Sequence, residues 1–223
     1  MGILLKAQDF AAFVDPQLVA PEAGGDGERS AYGAFESGDV VGAAHLWQAL
    51  AAGGDQDAAN NLGVLLYRGH GVPQDFEQAV RLFSVAAEKG CINATTNLAF
   101  MKANGFGTPK DNDAAGLLFL TAAEKLDAVA AFNLAYLYVK GRFGPRDVEI
   151  AYMWFVIAAA VAHESDLRAR ATAARDYYAA NIPPTNIIRV QRQARDWYAG
   201  RGDAAPTTFA STPSSIPVGV AAE

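Results

Sequence analysis

The sequence repeats itself every 36 residues, and the register holds across three consecutive copies without insertion or deletion. Asn61-Leu62-Gly63 returns as Asn97-Leu98-Ala99 and again as Asn133-Leu134-Ala135. The same step carries Gly69 to Gly105 and Gly141, Pro73 to Pro109 and Pro145, Asp75 to Asp111 and Asp147, and Phe83 to Phe119 and Phe155. Part of an earlier copy keeps step through Asp39, Ala43, Trp47 and Ala51. A period of this length marks a stack of supersecondary units, each too small to bury its own apolar face. Stacking supplies the core and leaves a long surface, which points to binding before it points to catalysis.

Each unit reads as two helices. Ala59, Leu62, Gly63 and Leu66 fall at i, i+3, i+4 and i+7, one apolar stripe, and Ala79, Leu82, Phe83, Ala86 and Ala87 form another. Between the stripes, Gly69-His70-Gly71-Val72-Pro73-Gln74-Asp75 stops one helix and caps the next. The spacing predicts helix pairs at 57–68 with 75–89, 93–104 with 111–125, and 128–140 with 147–162. A shorter first pair has its second helix over 39–53 and its loop cut to Ser37-Gly38. Gly63, Ala99 and Ala135 are small enough for close helix approach, with Phe83, Phe119 and Phe155 filling the gaps. After Ala162 the period dissolves but amphipathic helices continue over 165–180 and 185–199, separated by Asn181-Ile182-Pro183-Pro184. The expected organisation is an amphipathic segment and linker (1–27), a repeat array (28–166), a capping helix pair (167–201) and a disordered tail (202–223) poor in charge.

Several function classes are disfavoured. A net charge of −6 argues against a surface that tracks nucleic-acid phosphates. The longest apolar run, Ala151 to Ala162, is far shorter than the roughly 20 residues that span a bilayer. Asp9 and Asp15 interrupt any signal-peptide core, so a cytoplasmic protein is expected. Cys91 stands alone and closes no intrachain disulfide. His45, His70 and His163 lie in different units without metal-ligand spacing. No nucleophile motif and no phosphate loop followed by Lys-Ser/Thr is present, so neither a metal, a cofactor nor a catalytic residue is expected.

Binding candidates come from the first helix of each unit. Asn61, Asn97 and Asn133 form a ladder that can offer both donor and acceptor to a peptide backbone, or can bond to neighbouring helices and loops and set unit spacing. Packing positions repeat whereas recognition positions drift, which singles out Asn60, Thr96 and Phe132 at one site and Val64, Phe100 and Tyr136 at another. The aromatic members fit either a ligand-facing surface or the core. Charge is also polarised: residues 1–60 hold nine acids against Lys6 and Arg29, and 165–201 holds seven arginines against Asp166, Asp176 and Asp196. Such a dipolar chain can orient a partner or associate head to tail with itself.

The run Ala59-Asn60-Asn61-Leu62-Gly63-Val64-Leu65-Leu66-Tyr67-Arg68-Gly69-His70-Gly71-Val72-Pro73-Gln74-Asp75, followed by Ala79, Phe83, Ala86-Ala87 and Gly90, resembles the Sel1-like repeat, a relative of the tetratricopeptide repeat with a longer inter-helix loop. The third copy departs from it at Phe143, which replaces a loop glycine, and at Ala162. The stretch Pro184 to Trp197 is similar to the closing helix of many bacterial members. The resemblance implies an all-α, right-handed αα superhelical solenoid with a C-terminal capping helix pair. It also implies a non-enzymatic adaptor, regulator or assembly subunit that holds a peptide or protein partner on its concave face. Two alternatives stand beside it: a cell-wall or β-lactam hydrolase, and a fixed structural subunit of a larger complex. The hydrolase-like branch carries a disulfide in each repeat, which a chain with Cys91 alone does not.

Overall fold

In a computed structural model of the chain, residues 13–20 and 25–200 are described, and among them ten helices and no strand occur. The described chain forms two compact units. Residues 15–125 make one, and residues 13–14 with 126–200 make the other. The expected amphipathic stretch before Phe13 and the expected tail from Gly202 lie outside the described residues.

The unit spanning 15–125 holds α1 (Asp26–Glu36), α2 (Val40–Ala52), α3 (Gln56–Arg68), α4 (Phe76–Glu88), α5 (Ile92–Asn104) and α6 (Asn112–Ala123). Consecutive helices pack as hairpins α1–α2, α3–α4 and α5–α6, and each hairpin leans on the next through α2–α3 and α4–α5. The signals that set these limits recur at each pair. Asp39, Asp55, Asp75 and Asp111 are N-caps whose carboxylates accept backbone N–H groups of the first turn, satisfying donors that have no partner inside the helix. Gly69 and Gly105 end α3 and α5 with φ of 65° and 77°, the left-handed region that carries a steric cost for other residues. The first pair has a shorter inter-helix loop: α1 ends at Glu36 and Asp39 already caps α2.

Burial follows the repeat. Phe83 and Phe119 are fully buried. Phe83 closes on Gly63 of its own hairpin, where a Cβ would come within 2.7 Å of Cε1 of the ring, so the glycine is what admits the phenyl ring between α3 and α4. In the first pair the large residue is Trp47, fully buried, whose Nε1–H donates to the Glu28 carboxylate at 2.8 Å.

The second unit holds α7 (Ala128–Lys140), α8 (Val148–Val161), α9 (Ser165–Ala179) and α10 (Pro184–Ala199). Asp127 and Asp147 cap α7 and α8, and Gly141 closes α7 as its counterparts do α3 and α5. Both α9 and α10 pack on α8, which is therefore covered on nearly every side and reads as an almost unbroken apolar run. Trp154 meets Trp197 edge-on at 5.2 Å between centroids, Phe155 stacks on Tyr178 at 5.6 Å, and Gln191 donates to the Tyr152 hydroxyl at 2.9 Å. Pro184 sits in the first turn of α10, where a missing N–H costs nothing.

Candidate functional site: asparagine rungs under an extended segment

The three asparagines of the ladder project from α3, α5 and α7, and all three are buried. Each holds the backbone of the segment that precedes α1. Asn61 Oδ1 accepts the Val19 N–H at 2.7 Å while Asn61 Nδ2 donates to the Val19 carbonyl at 2.9 Å. Asn97 does the same for Gln17, accepting its N–H at 3.0 Å and donating to its carbonyl at 3.1 Å. In the other unit Asn133 accepts the Val14 N–H at 2.7 Å and donates to the Val14 carbonyl at 3.2 Å. One carboxamide thus satisfies both polar groups of one peptide residue, as a neighbouring β-strand does, and it reads no side chain in doing so.

Spacing explains why asparagines of adjacent repeats can share a chain. Gln17 and Val19 are two apart, so their N–H and C=O groups lie on the same edge of an extended backbone. Asn60 ties the two rungs together. Its Nδ2 donates to the Gln17 carbonyl at 3.2 Å and to Asn61 Oδ1 at 3.3 Å, and its Oδ1 accepts from Asn97 Nδ2 at 2.8 Å. Arg68 adds a charged donor, giving Nη2–H to the Pro16 carbonyl at 3.0 Å. Beside it, burial first and then the negative charge of Asp15 push the Tyr67 phenol up to about 12.

The remaining candidates divide. Tyr136 faces the segment: its ring meets Phe13 edge-on at 4.8 Å, and the Lys140 ammonium lies 5.4 Å from its centroid. Phe100 is buried in an aromatic cluster, 5.6 Å from Tyr67 and 6.0 Å from Phe106. Phe132 is fully buried against Phe155, with the Arg170 guanidinium 5.2 Å from its ring centroid, and Val64 is fully buried in α3. Thr96, equivalent to Asn60, is buried with its hydroxyl unpartnered among the described residues. Tyr67 and Arg68 are contacts the repeat pattern did not single out. Their equivalents, Ala103 with Asn104 and Val139 with Lys140, change from copy to copy, which is the signal that could have found them.

No cluster of three or more His, Cys, Asp or Glu suited to a metal occurs among the described residues. Cys91 is buried at the N-cap of α5, and burial, aided by Asp57, raises its thiol to about 11, well away from a nucleophilic thiolate at neutral pH. No described helix is long and apolar enough to cross a membrane.

The helix pairs α3–α4, α5–α6 and α7–α8 coincide with three matches to the Sel1 repeat family, over residues 56–91, 92–125 and 128–163. The chain carries three Sel1 repeats. Two solved structures share the fold of these Sel1 repeats. One is a protective antigen present in uropathogenic Escherichia coli strains and displaying an SLR fold, with 24% identity over 81% of this chain and a TM-score of 0.65. The other is a Sel1 repeat protein from Oxalobacter formigenes, with 23% identity over 78% of this chain and a TM-score of 0.62. The chain spans 38% of the length of the first and 70% of the second. Among functionally curated proteins no significant match is found. Sel1 repeats are in general protein-interaction modules, and the first helices that carry the asparagine rungs belong to all three of them.

Proposed function

We propose that the chain is a non-enzymatic protein-interaction module whose first helices hold an extended segment of a partner by its backbone. The observation that carries this reading is the pair of two-way hydrogen bonds from Asn61 to Val19 and from Asn97 to Gln17. Buried carboxamides are costly unless fully paired, and here their pairing depends on a polypeptide in extended conformation. Asn60 completes these contacts, in the other unit Asn133 and Tyr136 are the equivalent candidates, and the partner is a protein or peptide, not a nucleic acid. Gln17 and Val19 occupy the Asn97 and Asn61 rungs in the free chain, so a partner must displace them.

The test uses the full chain with Gln17→Pro and Val19→Pro, which deletes the two N–H groups that Asn97 and Asn61 accept and so weakens the resident segment. A fluorescein-labelled peptide with the sequence of residues 13–20 is expected to bind this variant more tightly than it binds the unaltered chain. Adding Asn61→Ala with Asn97→Ala should abolish the binding. A peptide that binds neither chain overturns the reading.

A further inference from the structure

Resting on that reading, we propose that the Asn61 and Asn97 rungs choose their ligand by the pattern of its backbone N–H groups. The ligand class is an extended segment that offers free N–H groups two residues apart and places its prolines, or other N-substituted residues, only before and between them. No side chain of the partner enters this selection, because what the rungs test is which peptide nitrogens carry hydrogen.

The rungs themselves exclude proline. Gln17 and Val19 each give an N–H to a carboxamide oxygen, at 3.0 Å to Asn97 Oδ1 and at 2.7 Å to Asn61 Oδ1. A proline in either place removes that donor and sets its ring against the oxygen the donor had reached. The two rungs are not equally strict. Asn61 Oδ1 also accepts from Asn60 Nδ2 at 3.3 Å, so it keeps a partner when the Val19 donor is lost. Asn97 Oδ1 accepts from Gln17 alone among the described residues and, being buried, is left an unpaired acceptor when that donor goes.

The intervening positions ask for no donor. Successive residues of an extended chain face opposite edges, so asparagines that meet residues 17 and 19 do not meet the nitrogens of 16 and 18. The resident segment shows the consequence at one of these positions. Pro16 is buried, and its one polar main-chain group, the carbonyl, accepts from Arg68 Nη2 at 3.0 Å. At the other, Leu18 is half-buried and its main chain makes no hydrogen bond among the described residues, so replacing its N–H forfeits none. Proline there also holds φ near the extended value and disfavours helix in the residue before it, which lowers the freedom lost when the segment is laid on the rungs. Segments with proline at alternate positions therefore fit, and an unbroken run of prolines does not.

The experiment measures anisotropy of labelled peptides on the full Gln17→Pro/Val19→Pro chain. The parent peptide has the sequence of residues 13–20, and its relatives carry a single N-methyl group at the Gln17, Leu18 or Val19 position, which removes the N–H and keeps the side chain. The Leu18 relative is expected to bind within about two-fold of the parent, the Val19 relative about three-fold more weakly and the Gln17 relative about ten-fold more weakly. Asn60→Ala in the protein should bring the Val19 penalty up to that of Gln17, since Asn61 Oδ1 then has no second donor. A penalty that does not depend on the methylated position, with binding still lost when Asn61→Ala and Asn97→Ala are added, overturns this inference and leaves the backbone-binding reading standing. No binding by the parent peptide overturns both. If the double-proline chain loses its helical circular dichroism signal, the comparison moves to the resident segment of the otherwise unaltered chain. There Leu18→Pro should keep the Gln17 and Val19 amides slow to exchange, while Gln17→Pro should speed exchange at Val19 by about ten-fold. Equal exchange at Val19 in the two variants is the overturning result.

Discussion

Glu28 is a carboxylate buried on α1, with the Trp47 indole as its donor and Asp55 and Asp57 as negative neighbours. Burial raises its pKa above the ordinary value of 4.5, the indole hydrogen bond lowers it, and the two aspartates raise it again, with a net upward shift. The folded pKa lies above the unfolded one, so this group's contribution to stability is fully present below pH 4.5 and is lost as pH rises through the folded value. Glu28→Gln keeps an oxygen for the indole and removes the charge. It should match the parent in stability near pH 4 and exceed it at pH 7, as read by denaturant midpoints at the two values. A parent chain that gains stability relative to the variant between pH 4 and 7 contradicts the assignment. At the same scale, Phe119 is fully buried, and Phe119→Ala should cost about 3–5 kcal/mol, while Lys110→Ala, on an exposed loop, should stay within about 0.5 kcal/mol in the same melts. Single residues read one way where they repeat and two ways where they drift. Phe100 and Tyr136 drift, and both are buried. The drift at Phe100 has a packing origin: the loop residue that is His70 in one repeat is Phe106 in the next, and Phe106 packs against Phe100 and Phe76. Core positions therefore vary wherever two of them vary together.

At the scale of the helix, the end of each first helix and the start of each second helix in the three full repeats were readable because they rest on local chemistry. Aspartate before an apolar stripe and glycine after it satisfy backbone groups that the helix cannot satisfy internally, and both signals recur at each repeat. Asp111→Ala removes the acceptor for the Ala114 N–H at 2.9 Å and should cost about 1 kcal/mol in thermal or denaturant melts. The close approach of α3 and α4 yields a sharper test. Alanine occupies the equivalent of Gly63 in the next two repeats, so the sequence suggests that Gly63→Ala is harmless. Its Cβ meets the Phe83 ring at 2.7 Å, however, and a fully buried ring has little room to retreat. The substitution should destabilise by about 1–3 kcal/mol despite the gain in helix propensity. A variant more stable than the parent would show that the ring moves freely.

For the whole chain, the feature least legible in the sequence was the segment before α1. Residues 15–27 read as a linker because proline and glycine are frequent there, and α1 does begin as that composition ends, at Asp26. Yet Val14, Gln17 and Val19 are hydrogen-bonded to asparagines distant in sequence by 119, 80 and 42 residues, and no local signal marks such pairing. Only two traces were present: aliphatic residues at 18 and 19 in a supposed linker, and asparagine at a helix position where it brings no propensity advantage. Amide exchange on the full chain separates a held segment from a passing one. The Val14, Gln17 and Val19 amides should be protected, because each donates to a buried carboxamide. Asn61→Ala should then speed exchange at Val19, and Asn97→Ala at Gln17, by roughly five-fold or more, the equivalent of about 1 kcal/mol for a lost hydrogen bond. Both variants should keep their helical signal, since the rungs point toward the segment and lie outside the repeated aromatic packing. Unprotected amides in the parent chain would mean that the asparagines stand open to water, and the buried carboxamides would then have to be accounted for by contacts among the helices alone.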